Sequence, residues 1–293
     1  MDFYVVPMVK LLLILSLAFW SPIPALASED GTGTTEPYGV GFDFKDTRFS
    51  IGIAAAALRY DTQLEFVDKD SGRSIFVDAE GTLGLPDTDV SPAIFGRYRF
   101  SRRHSLGFSY WSLKRSNTLV SPDFDIGDLE VSGVIEVSDR SHFYYLNYSY
   151  TFMEDSRSKI FGVLGLYGLD VKYAIEAEGQ IFFDGELIAE DSFTRTASAF
   201  APLPMVGIDA IFAVTPRWSF GTKVMLIGGS VGDVRDALVL DTSVRAQYMF
   251  NESLGLHFGI KYFNADFDVD KSSVRSKVSY GFDGVFGGLS LTI

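Results

Sequence analysis

The chain has 293 residues and no cysteine, so disulfides, thiolate metal sites and thiol nucleophiles are excluded. Its formal net charge of −13 argues against a nucleic-acid partner, because phosphate binding needs a basic face. Yet 47% of the residues are hydrophobic, 15% are aromatic and 28 are Gly. That mixture suits apolar side chains facing lipid, with the charge carried in exposed loops.

In chain order, Lys10 precedes the apolar run Leu11–Trp20, and Ala25-Leu26-Ala27 offers the small-x-small pattern a signal peptidase cleaves. The run is too short for a stable transmembrane helix, and no Cys follows it to carry a lipid anchor. The expected organisation is a signal peptide over 1–27, a tail or strand extension over 28–46, and one β domain over 47–293. Within the tail Val40, Phe42 and Phe44 alternate; a periplasmic extension of the first strand and an inserted plug both fit it.

From there the chain alternates with period two, the strand signature. The first strand sets Phe49, Ile51, Ile53, Ala55 and Ala57 on one face. A weak repeat follows, in which a strand ends near an aromatic or Val, a short polar turn intervenes, and the next strand opens apolar. Its four turns are Ser101–His104, Glu154–Arg157, Thr215–Arg217 and Asn251–Ser253. Between them lie longer stretches rich in Asp, Glu, Gly, Ser and Pro, and Asp184-Gly185 marks one hairpin tip. The last strand reads Val285, Gly287, Leu289, Leu291 and Ile293 on one face.

Short turns at one end and long acidic loops at the other predict an all-β fold. It is a transmembrane antiparallel up-and-down barrel of about ten strands, with short periplasmic turns and long extracellular loops. Tyr98, Phe100, Tyr150, Phe152, Trp218, Tyr248 and Phe250 all fall near the short turns and form the expected aromatic girdle at one interface.

Three stretches resemble uncharacterised proteobacterial outer-membrane β-barrel proteins. They are Tyr98 through His104 to Trp111, Ala201-Pro-Leu-Pro-Met-Val-Gly207, and Phe263-Asn-Ala-Asp-Phe-Asp-Val-Asp270. The resemblance implies the barrel fold and the outer membrane; it implies no activity. Such barrels tend to end in Phe or Trp, whereas this chain ends in Ile293.

For the interior, alternation places Arg97, Arg99, Asp170, Lys172, Asp209, Lys223, Asp241, Arg245 and Lys261 inward. One reading is a salt-bridged polar filling; the other is a narrow pore with a charged constriction. A barrel of about ten strands has little internal space, which favours filling. Of the three histidines, His104 and His257 fall near the short turns, and only His142 lies higher, beside Ser141 and Asp139. Adjacent strand residues point to opposite faces, so Ser141 and His142 do not pair, and an enzyme is not expected. Asp266, Asp268 and Asp270 share one face, which fits a solvated outward strand edge kept soluble by charge, carboxylates for Ca²⁺ or Mg²⁺, or divalent bridges with lipopolysaccharide phosphates that an acidic surface does not contact directly. No cofactor is expected. The expected partners are outer-membrane lipid, lipopolysaccharide and the barrel-insertion machinery, and the role a passive one in the envelope. The alternatives are a narrow small-solute pore and an outer-membrane enzyme acting on lipid A or peptide.

Overall fold

A computed structural model describes residues 48–68, 74–126, 129–155, 157–183, 186–231, 234–270 and 274–293. The expected signal peptide and the tail over 28–46 lie outside the described residues, as do Asp184 and Gly185. The strands are β1 (Phe49–Asp68), β2 (Ser74–Asp78), β3 (Thr88–Arg99), β4 (His104–Ile126), β5 (Leu129–Glu154) and β6 (Ser158–Phe183). They continue as β7 (Glu186–Ala213), β8 (Trp218–Val231), β9 (Val234–Met249), β10 (Leu254–Asp270) and β11 (Val274–Thr292). Among the described residues no helix is long and apolar enough to cross a membrane.

All pairings are antiparallel between neighbours, and β1 closes the sheet against β11 from Ser50↔Thr292 to Asp68↔Val274. Phe49 and Ile293 exchange backbone hydrogen bonds at 3.2 and 2.8 Å, so the seam is paired to the last residue. Over the lower part of the described strands closure pairs every strand on both sides, which is the condition for a sheet to sit in hydrocarbon. The short β2 stands outside the expected strand count. It pairs only with the upper part of β1, Gln63↔Asp78 to Val67↔Ser74, above the point where β3 leaves β1 at Arg59↔Thr88. The other strands form the closed barrel.

Local chemistry explains the four short turns. Asp155 Oδ1 accepts the backbone N–H of Arg157 and of Ser158, both at 2.7 Å. Asn251 Oδ1 does the same for Ser253 and Leu254 at 2.9 and 2.7 Å. Thr215 Oγ1 takes Arg217 and Trp218 at 3.3 and 3.0 Å, and Ser101 Oγ takes Arg103 at 3.3 Å. Each turn thus begins with a short polar side chain that mimics a backbone turn. The strands that rise from them are long: β5 and β6 have 26 residues and β7 has 28. A tilted strand crosses a bilayer in roughly 9–11 residues, so these continue well beyond one.

The outward face of the lower half is an apolar belt. Ile53 is 65% exposed, Leu146 55%, Leu164 58%, Ile208 54% and Val285 57%. Side chains of this kind exposed on every strand exceed the patches soluble monomers carry. Inside lies a second apolar layer, with Trp111, Phe143, Tyr145, Tyr167, Phe263, Tyr280 and Phe282 all buried. The polar lumen expected from the alternation is therefore aromatic at mid-height. On β5 both faces are apolar, Tyr144 and Leu146 outward, Phe143 and Tyr145 inward, and period two does not say which apolar face turns in.

Candidate functional site

The lumen is the site the fold builds, and three layers occupy it. In the middle, rings from β4, β5, β6, β10 and β11 touch in a continuous set. Trp111 stacks on Phe143 at 4.8 Å and meets Tyr167 edge-on at 5.9 Å. Phe263 stacks on Phe282 at 4.9 Å and contacts Tyr167 at 5.7 Å, and Phe143 meets Phe282 edge-on at 5.7 Å. Burying each such ring stabilises the barrel by about 1.5–3 kcal/mol.

Toward the short turns lies a charged layer organised by Asp241, whose side chain is fully buried. Lys261 Nζ donates to its Oδ1 at 2.6 Å, Lys223 Nζ stands 3.3 Å from its Oδ2, and the Tyr167 hydroxyl donates to it as well. The register explains the gathering. Lys223, Ser243 and Lys261 are direct cross-strand partners on β8, β9 and β10, and Asp241 sits two residues from Ser243 on the same face. Lys261 also lies 5.3 Å from the Trp111 ring centre and Lys223 4.5 Å from that of Tyr145, joining this layer to the aromatic one. Lower still, Arg245 Nη2 donates to both oxygens of Asp209 at 2.6 and 2.9 Å. These groups, with Arg97 and His257, line a cavity of about 340 Å³ beneath the rings. His257 Nε2 is 2.5 Å from Ser290 Oγ.

Above the rings lies a third layer. Arg115, with no side-chain exposure, donates through Nη2 to Asp139 at 2.8 Å and through Nη1 to Glu80 and to the Pro86 carbonyl, the latter at 3.2 Å. Ser141 Oγ donates to the far oxygen of Asp139 at 2.7 Å. Glu80 and Pro86 belong to the segment between β2 and β3, which folds inward and buries Ala79, Leu83 and Leu85. Asn117 holds its Leu83 carbonyl at 3.1 Å, and Glu80 accepts the Thr62 N–H at 2.7 Å. Gly84 takes φ +62°, a conformation L side chains rarely adopt, and a Cβ there would stand 2.6 Å from Asn117 Nδ2.

Of the residues read as inward from the sequence, Arg97, Arg99, Asp209, Lys223, Asp241, Arg245 and Lys261 lie on the lumen face. Asp170 and Lys172 do not. They share the face of Leu164 and Leu166, and their cross-strand partners are His142 and Arg140, themselves outward. The error has a physical source: β6 buries its odd positions, Val163, Tyr167 and Leu169, so the charges fall on the other face. All seven girdle aromatics are outward at the short-turn end, where Trp218 lies 4.9 Å from Tyr248 and Tyr248 5.3 Å from Phe250. Arg103 and Arg217 from the turns reach the hydroxyls of Tyr150 and Tyr248 at 3.3 and 3.5 Å.

The histidines find hydroxyls. His104 Nδ1 lies 2.5 Å from Tyr148 Oη, and His142 Nδ1 lies 2.9 Å from Tyr110 Oη on the outward face. Ser141, adjacent to His142, points inward to Asp139. Asp266 accepts from Asn264 and Ser279 at 2.5 and 2.6 Å, and Asp268 pairs with Arg275. Among the described residues no group of three or more His, Asp and Glu side chains is placed to hold a metal ion. Sequence reading missed the Arg115–Asp139–Glu80 cluster and the inward segment that it anchors. The available signal was Leu83-Gly84-Leu85-Pro86, an apolar run around a Gly inside an otherwise polar loop.

No protein-family model matches the sequence, and no curated protein does either. Among solved structures, the outer membrane protease OmpT from Escherichia coli superposes with a TM-score of 0.57 at 12% identity, over 85% of this chain and 98% of that one. The toluene transporter TodX of Pseudomonas putida matches at TM-score 0.31 and 8% identity, over 84% of this chain and 90% of that one. The attachment invasion locus protein Ail of Yersinia pestis matches at TM-score 0.27 and 9% identity, over 82% and 99%. The last two superpositions are too loose to bear on the argument. The likeness to OmpT establishes the fold, an outer-membrane type of β-barrel.

Proposed function

We propose that the chain is an integral protein of the bacterial outer membrane, exported and then inserted as a barrel. Its lumen is sealed by its own side chains, and its role is a passive one in the envelope, structural or surface-interacting. The observation that carries this reading is the ring layer of Trp111, Phe143, Tyr167, Phe263 and Phe282. It crosses the barrel between a paired charged layer below and the Arg115-anchored segment above. A conducting pore keeps a wetted path through its constriction; here the constriction is made of packed aromatic rings.

The apolar belt, the aromatic girdle at the short turns and the closed sheet support membrane insertion. The test is refolding of the mature chain into phospholipid vesicles. The unboiled protein should run on a gel as a compact form distinct from the boiled one, and the loaded vesicles should retain a trapped small solute. Recovery of the mature chain as a soluble monomer would overturn the membrane reading, and rapid solute release would overturn the sealed lumen.

A further inference from the structure

At its upper rim the outward belt gives way to charge, and the pattern differs around the barrel. On β1, β10 and β11 the basic groups stand against carboxylates: Arg59 with Asp283 at 2.9 Å, Lys277 with Glu65 at 2.8 Å, and Arg275 with Asp268. On β4, β5 and β6 they stand against each other. Lys114↔Arg140 and Arg140↔Lys172 are direct cross-strand partners, so three cations form one row on the outward face. All three are exposed, and among the described residues none makes a salt bridge or side-chain hydrogen bond.

Like charges set directly opposite one another destabilise a sheet. The row is therefore a local cost, in a chain with 38 acidic residues against 25 basic ones from which to supply partners. The charged groups facing it are few. Asp170 lies in the next row down, beside His142, while Glu136 and Glu176 lie four residues above, roughly 13 Å away at ~3.3 Å per residue. Between those acids and the cations come Ser116, Ser138 and Ala174. Immediately below the Asp170 row the belt begins, with Tyr144 47% exposed, Leu146 55% and Leu166 47%. The row thus sits where acyl chains end and headgroups begin.

We propose that Lys114, Arg140 and Lys172 form a binding site for the phosphate groups of a glycolipid in the outer leaflet. This rests on the outer-membrane reading above. Charge complementarity supplies the attraction, since ammonium and guanidinium groups bind phosphate through charge-assisted hydrogen bonds. The position at the belt's rim selects a lipid-borne phosphate over a soluble one. It also revises the expectation that so acidic a protein reaches lipopolysaccharide only through divalent bridges.

The test uses the full mature barrel, wild type and Lys114→Gln/Arg140→Gln/Lys172→Gln, refolded into phosphatidylcholine vesicles with or without diphosphoryl lipid A. Urea unfolding midpoints are read in each. The wild type should shift to a higher midpoint with lipid A and the triple variant should lose that shift, while in phosphatidylcholine alone the variant should be at least as stable. Raising the salt concentration should shrink the shift. Arg59→Gln/Asp283→Asn, which neutralises a paired site at the same rim, should keep it. An equal lipid A shift in wild type and triple variant would overturn the proposal. So would a shift of the same size from inorganic phosphate added to phosphatidylcholine vesicles, which would make the site one for free anions. Failure to insert into either vesicle overturns the membrane reading and this site with it; insertion into both without a lipid A shift overturns the site alone.

Discussion

Replacing Asp241 by Asn removes one charge from the centre of the lower layer and leaves its volume nearly unchanged. The carboxylate is fully buried, while Lys223 and Lys261 each keep 17% side-chain exposure toward the cavity. A hydrogen bond to a charged group contributes about 1.5–3 kcal/mol. Asp241 accepts two such bonds, from Lys261 and Tyr167, and pairs with Lys223 at 3.3 Å, so losing the carboxylate would cost ~3–6 kcal/mol if no neighbour moved. Both lysines can turn partly toward the cavity and recover some hydration, which places Asp241→Asn at the low end, about 3–4 kcal/mol. That agrees with the ~3–5 kcal/mol for removing one member of a buried ion pair. The assay is equilibrium urea unfolding of the vesicle-inserted barrel, with the midpoint falling at unchanged slope. The triple change Lys223→Met, Asp241→Leu and Lys261→Met should restore most of the loss, since a buried triad replaced by apolar groups of like volume is often neutral. A loss under about 1 kcal/mol for Asp241→Asn, or no recovery in the triple variant, would refute the keystone role of Asp241.

Other perturbations separate the faces and layers. Val244→Arg puts a charge on the outward belt between Thr222 and Ile260 and should cost ~2–4 kcal/mol. Ser243→Gln beside the cavity should cost under about 1 kcal/mol. Equal losses in urea midpoints would contradict the assignment of inside and outside. Arg115→Met strands the buried Asp139 and should cost ~3–5 kcal/mol while freeing the segment Ala79–Asp87, so limited proteolysis from the outer side should then cut there; an unchanged digest would count against that seal. Asp155→Ala removes two backbone hydrogen bonds from a short turn and should cost about 1–2 kcal/mol. The Arg157 and Ser158 N–H groups hold the Asp155 carboxyl below its usual range. Its contribution is thus complete above the ordinary carboxylate pKa and disappears as pH falls through the lowered value. Wild type and variant should converge in acid, and a gap that persists there would show that the carboxylate is not the stabilising group.

What could be read from the sequence is what local chemistry decides. Ser101, Asp155, Thr215 and Asn251 announce their turns because each acts on backbone two or three residues away. Alternation in β9 and β10 gave the right faces because only one of them is aliphatic: Val244, Leu256 and Ile260 against Arg245, His257 and Lys261. On β6 it failed because both faces carry large apolar residues, so Asp170 and Lys172 were assigned to the lumen, and on β5 the apolar character of both faces left the aromatic layer unseen. The Arg115 cluster was out of reach for another reason. Its partner Asp139 is 24 residues away in sequence and its partner Glu80 is 35, and neither spacing follows from any periodicity.

Planar-bilayer conductance of the refolded barrel tests the proposed sealed lumen most directly. The unmodified barrel should show no steady current across a range of voltages. The variant Phe143→Ala/Phe263→Ala/Phe282→Ala, which removes rings from three strands of the middle layer, should show discrete openings. A steady, ion-selective current from the unmodified protein would contradict the account and turn Lys223, Asp241 and Lys261 from a packed layer into a selectivity filter.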